Sequence, residues 1–235
     1  MALLAGQMRA SSKGARLAQW MVKHEEGLKG RPDLQPAGAR TGSSTTPASK
    51  SDSSREADRP GGKKPLGMPE YKVPCFNASN LHYSKIPEFD RQLVGQERGL
   101  NDLTVDEYLR GREAFKAGDK VRDPRVAKQA RQKLAKTLSR EMSREFQKTG
   151  ISYREAVKLA KPLVDQKMAT LAALHNPDLF AGSKDLISDF GDRSVNASIG
   201  AQWRKRIGGL DKLAKGIATQ DLATTKINAR LERCR

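Results

Sequence analysis

Six apolar residues, Val126, Ala130, Leu134, Leu138, Met142 and Phe146, follow one another at intervals of four. A half-buried strand alternates at two, so this spacing dictates a helix. Its apolar stripe drifts slowly round the surface and needs a second element to cover it. Both ends are marked. Asp123 is an N-cap followed by Pro124, whose missing N–H costs nothing at the first helical position. Gly150 supplies the stop. The predicted helix therefore runs from 124 to 148.

Similar punctuation places its neighbours. Ser152 and Glu155 form a capping box. They open a helix predicted to reach Leu174, with a kink or break at Pro162. Thr104 and Glu107 form another box, opening "VDEYLRGREAF". Pro87 opens "PEFDRQLVGQERGL", with Phe89, Leu93 and Leu100 on one face; its Glu88, Arg91, Gln92 and Gln96 read as surface. "VPCF" is a short extended piece, and short helices are predicted at 202–207 and from 210 to the end. No convincing alternating strand and no internal repeat is present. The fold class is mostly α, a single helical domain over residues 71–235.

Two segments of different composition precede it. Residues 31–70 are rich in Pro, Gly, Ser and Thr ("GSSTTPASKSDSS", "RPGGKKPLG") and are predicted to be a disordered linker. Residues 1–30 mix Leu3, Leu4, Met8, Leu17, Trp20 and Met21 with Arg9, Lys13, Arg16 and Lys23. They read either as a basic amphipathic segment that touches a membrane or a partner, or as a weakly helical tail. No apolar run approaches the length of a spanning helix, and no secretory signal is legible. Cys75 and Cys234 make neither a disulfide framework nor a metal knuckle. They read as free thiols in a reducing compartment, with a single bridge between the ends of the domain as the alternative.

The net charge is +17. Such an excess attracts polyanions. It is also uneven. Residues 110–148 hold 13 Lys or Arg against 5 Asp or Glu, and residues 203–235 hold 9 against 3. Between them, residues 165–202 hold 3 basic and 5 acidic residues. Basic arms suit phosphate neutralisation. An acidic island between them suits a divalent cation or a general base acting on a bound phosphodiester.

That island contains "LAALHNPDLFAG", residues 171–182. Its plainest reading is a corner between helices. His175 then stands at a helix C-terminus, Asn176 caps a new turn, Pro177 takes its first position and Asp178 lies within it. The functional reading uses the same four residues. His175 and Asp178, three apart across a tight turn, meet so that the carboxylate fixes the imidazole tautomer, or both orient a metal, and a water is activated. His24 lies in the tail, and His82 reads as structural. A second polar stretch, "DFGDRSVNASIGAQW", offers Asp189, Asp192, Asn196 and Gln202 as carboxylate and amide ligands in a loop. Trp203 reads as a core anchor. The "DFG" triplet has no kinase context around it.

Four fragments, "VPCF", "PEFDRQLVGQERGLNDLTVDEYLRGR", "AALHNPDLFAG" and "GDRSVNASIGAQW", stand in an order that resembles the novel toxin 15 family of bacterial polymorphic toxins. The resemblance covers roughly residues 71–213. It implies a largely α-helical nuclease domain with an HxxD motif, here His175 and Asp178 as catalytic residues. It also implies a type VI secretion effector that degrades DNA in the target-cell cytoplasm, with a cognate immunity protein in the producer. Asp192, Asn196 and Gln202 match the downstream segment as supporting or substrate-binding residues. Mg²⁺ is the candidate cofactor, with Asp178 and Asp192 as its candidate ligands, and a secretion adaptor or chaperone is a further expected partner. Similar effectors carry glycine-zipper helices in the N-terminal third; here Gly38 and Gly42 are four apart but lie in a polar stretch, a departure that argues against a membrane-entry role for residues 1–30. Two rivals remain: a non-catalytic nucleic-acid-binding protein, and an RNase using the same site.

Overall fold

The computed structural model describes residues 67–119 and 122–235. The expectations for the segment 1–30, and for the linker up to residue 66, lie outside them. In chain order the described elements are β1 (Tyr71–Lys72), α1 (Ile86–Asn101), α2 (Val105–Ala117), α3 (Pro124–Gln147), α4 (Tyr153–Thr170), β2 (Leu171–Leu174), β3 (Asp189–Asp192), α5 (Arg193–Gln202), α6 (Gly208–Lys215) and β4 (Ala229–Arg230). The fold is mostly α, as the periodicities require.

Helix starts follow their caps. Thr104 accepts from Glu107 N while Glu107 reaches back to Thr104 N, a complete capping box. Asp123 accepts from Arg125 N, and Ser152 from Glu155 N. Gly118 and Gly150, at φ 80° and 84°, take the left-handed conformation that stops a helix without steric cost. His82 caps a short 3₁₀ turn by accepting from Ser84 N, the structural role read for it.

Two apolar cores result. The larger gathers Phe76, Phe89, Leu100, Tyr108, Ile199 and Leu210 around Trp203, which is wholly buried with its ring edge-on to Phe76 at 5.0 Å. Trp203 is therefore the core anchor expected. The smaller core lies between α3 and α4, where Leu134, Leu138 and Met142 meet Ala160, Leu163, Val164 and Met168, and Ile187 and Phe190 close its end. The helical hairpin thus has a core of its own, joined to the body through the β2–β3 ribbon.

Several expectations are corrected. The second helix ends at Thr170, passing unbroken through Pro162, and residues 171–174 form β2. β2 pairs antiparallel with β3, Leu171 opposite Asp192 and Leu174 opposite Asp189. Leu-Ala-Ala-Leu favours a helix locally, but the ladder offered by a segment 18 residues away overrides that preference. His175 consequently follows a strand, and the helix-dipole reading of it falls. "DFGD" is likewise strand rather than loop. The C-terminal segment is not helical to its end: α6 stops at Lys215, and β4 pairs in parallel with β1.

The cysteines are also corrected. Cys75 and Cys234 form a disulfide, 159 positions apart in sequence. The neighbouring backbone is already zipped, with Phe76 N donating to Glu232 O and Cys234 N to Phe76 O, both at 2.9 Å. Closing so long a loop removes about 5 kcal/mol of chain entropy from the unfolded state.

Candidate functional site

The face of α1 read as surface is instead the floor of a polar cluster. Glu88, Gln92 and Gln96, spaced four apart, are all buried. They point at the β2–β3 ribbon and the loop that follows β2. Glu88 accepts from Arg91 at both oxygens (2.8 Å each), from Gln92 Nε2 (2.8 Å) and from Asp192 N (3.1 Å). Arg91 also binds Asp189 and donates to Phe190 O. Burial alone would raise the Glu88 pKa. The hydrogen bonds from Arg91 and Gln92 and the Arg91 charge outweigh it and hold the carboxyl at about 2.

Gln96 grips the loop itself. Its Nε2 donates to His175 O (2.9 Å) and Asn176 Oδ1 (3.3 Å), and its Oε1 accepts from Asp178 N (2.6 Å). Two glycines of α1 make room for this contact. A Cβ on Gly95 would stand 2.9 Å from Asn176 Nδ2, and one on Gly99 would overlap the Asn176 carbonyl. Gly99→Ala is therefore expected to cost about 1–3 kcal/mol of stability by overpacking and to push the loop off α1. Thermal unfolding together with an activity assay checks this. An unchanged melting temperature with full activity would contradict the contact.

His175 is 5% exposed. Its Nε2 lies 2.7 Å from Asp185 Oδ1. Asp185 Oδ2 accepts from Asp123 N at 2.7 Å, so one carboxylate ties the imidazole to the cap of α3. Burial lowers the His175 pKa. The Asp185 hydrogen bond works against that, and the nearby Arg122 charge adds to it. The ring is thus neutral at pH 7. Donation from Nε2 to the carboxylate leaves the Nδ1 lone pair as a base.

The pair expected from the sequence is only half formed. Asp178 caps the 3₁₀ turn Leu179–Ala181, accepting from Phe180 N at 2.8 Å. It makes no hydrogen bond to His175 and reaches it only through its charge, which raises the ring's pKa. Asn176 does not cap the turn; that role belongs to Asp178. Among the described residues no donor bonds Asp178 Oδ2. A Cβ on Gly200 would stand 3.5 Å from that oxygen, so α5 passes beside it. Asn196 is one turn earlier on the same face of α5 and is half-buried.

The remaining candidates do not converge on His175. Asp192 caps α5 through Ser194 N (2.9 Å) and Val195 N (3.0 Å) and pairs with Lys85 at 3.1 Å. Gln202 brackets Asn77, accepting from its N (2.8 Å) and donating to its O (2.9 Å). It also borders an open groove of about 540 Å³ lined by Ser194, Ser198, Lys205 and Arg206. Among the described residues no group of three or more His, Cys, Asp or Glu side chains is arranged to hold a metal ion. No described helix is long and apolar enough to cross a membrane.

Two residues were missed from sequence, Asp185 and Arg122, and Gln96 was noted but read first as surface. Asp185 belongs to the acidic island, but its distance from His175 matches no motif. Gln96 looked like an ordinary exposed amide.

A family model described as Novel toxin 15 matches residues 83–232, well over half of the chain, and spans α1 through β4. No curated protein matches the chain.

Proposed function

The chain belongs to the novel toxin 15 family, whose matched region is a polymorphic-toxin domain, and on that premise we propose that it is an antibacterial nuclease hydrolysing DNA phosphodiester bonds. The observation that carries this reading is the neutral His175 held by Asp185 beside the Asp178 carboxylate. His175 Nδ1 takes a proton from water as the water oxygen attacks phosphorus, and the P–O ester bond to the leaving oxygen breaks. Asp185 fixes the tautomer and stabilises the imidazolium that forms. Arg122 lies close enough for its charge to act on the ring, and the same charge favours the added negative charge of the transition state. Asp178 supplies the second polar group of the HxxD motif. Any Mg²⁺ would be held by Asp178 with substrate phosphate oxygens and water rather than by a protein cage. Asn196 and the groove beside Gln202 are the proposed substrate contacts.

The reading extends to context. The protein is delivered to rival cells, by a type VI system with an adaptor or chaperone. It acts in the target cytoplasm and is neutralised in the producer by an immunity protein. A second reading rests on the near-complete burial of His175: the His175–Asp185 pair is a structural latch, and the basic protein binds nucleic acid without cutting it. Plasmid DNA and RNA of matched length, incubated with the purified chain in Mg²⁺ or EDTA, separate these readings. DNA degradation is the expected result, slowed by EDTA if Asp178 shares a cation. RNA degradation alone would reassign the substrate, and binding without products under any divalent metal would favour the second reading.

A further inference from the structure

The outward face of α3 carries a cationic row. Arg125, Lys133, Lys136, Arg140 and Arg144 lie within about 100° of one another round the helix, with Gln129, Gln132 and Gln147 filling the same face, and all five cations are exposed. Buried Leu134, Leu138 and Met142 stand two positions before Lys136, Arg140 and Arg144. Two residues turn a helix by about 200°, so the cationic row is diametrically opposite the face buried against α4. Among the described residues Lys133, Lys136, Arg140 and Arg144 make no salt bridge, and Arg125 pairs with Asp123 at 3.2 Å. A face that merely needs solubility mixes signs; here one sign is kept along the full row.

The position of the row gives it a direction. The cap residue of α3, Asp123, donates its N–H to Asp185, the carboxylate that holds His175. Arg131 then fastens the first third of the helix to the end of α4 and the start of β2, through Met168 O and Leu171 O. The row starts beside the candidate site and extends about 30 Å away from it, at 1.5 Å per residue. One strand of a duplex rises 3.4 Å per phosphate, so that span covers about nine base pairs.

Resting on the nuclease reading, we infer that this face of α3 is a backbone track for duplex DNA, a sequence-blind arm that holds the substrate while one end reaches His175. Its occupant is the phosphate backbone of the duplex. No hydrogen-bonding side chain for base edges is needed.

The test measures binding of the native full chain to a nuclease-resistant phosphorothioate duplex of 30 base pairs across a salt series. Lys136→Gln, Arg140→Gln and Arg144→Gln together are expected to weaken binding at least tenfold near physiological salt and to flatten the slope of log K against log salt by about 2–3. Each single substitution flattens it by about 1, so a folding defect in the triple variant does not decide the outcome. The control triple Arg204→Gln, Lys212→Gln and Lys215→Gln removes the same charge elsewhere. Equal losses in both triples, or an unchanged slope in the first, would overturn the track. So would row-dependent retention on phosphatidylserine vesicles with no change in the DNA slope, which would make the face a membrane contact. Plasmid cleavage by the native chain is read in parallel. Cleavage with an unchanged slope removes the track and leaves the nuclease; row-dependent binding without cleavage removes the nuclease and leaves the track.

Discussion

On the proposed nuclease reading, Asp185→Asn is expected to lower the rate of DNA cleavage by about 10²–10⁴-fold, and His175→Ala at least as far. Asparagine keeps the size of the side chain. Its carbonyl still accepts from Asp123 N, and its amide then donates to His175 Nε2. That demands the opposite tautomer, with the proton on Nδ1, where no base is left. The pH profile carries a second signature. Wild-type activity is expected to hold at neutral pH and to fall on the acid side below the ordinary imidazole range, because burial, and then the Arg122 charge, lower the His175 pKa. Asp185 and Asp178 both raise it. Replacing either with Asn therefore moves the acid limb to lower pH, and Arg122→Ala moves it higher. A double variant of His175 and Asp185 loses little more than the single, as expected for groups acting as a unit. If the pair were only a latch, activity would fall in step with thermal stability and residual activity would show no shifted limb.

Arg91→Met destabilises the fold by about 3–5 kcal/mol, the cost of stranding buried charge. Methionine fills the space but leaves Glu88, 8% exposed, facing Asp189 without the guanidinium between them. The effect is linked to pH. Glu88 has a depressed carboxyl, at about 2 against an ordinary 4.5, so its contribution is fully present above 4.5 and is lost as pH falls toward 2. Without Arg91 the burial penalty dominates, the Glu88 pKa rises, and the acid-sensitive range moves upward. Urea midpoints of both proteins at pH 7 and in the acid range measure this. A variant as stable as wild type at neutral pH would mean the cluster contributes nothing net. The β2–β3 ribbon is expected to detach first, since Glu88 and Gln92 hold Asp192 N and O.

The sequence announced whatever is settled within one turn or one cap. Thr104 with Glu107, Asp123 before Pro124 and Ser152 before Glu155 all start helices where expected, because a cap is a bond between residues two or three apart. It did not announce β2, since the partner of Leu171–Leu174 is supplied by Asp189–Asp192 and nothing local signals the pairing. Glu88, Arg91, Gln92 and Gln96 were misread for a related reason. Their polarity is satisfied inside by groups about 100 positions away, so composition alone placed them in water. At the site, the corner at residues 175–178 was legible but its pairing was not. The spacing of His175 and Asp178 pointed to a direct bond, whereas the loop spends Asp178 on Phe180 and brings Asp185 in from ten residues downstream.

The Cys75–Cys234 crosslink constrains how the chain threads a narrow passage. A polypeptide joined near both ends of its folded region becomes a closed ring when it unravels, so traction on either tail hauls two strands abreast. A conduit wide enough for one extended strand stalls on the oxidised form and admits the reduced one. Wider passages take the folded body whole. Threading as a single strand therefore requires the Cys75–Cys234 bond to be reduced first.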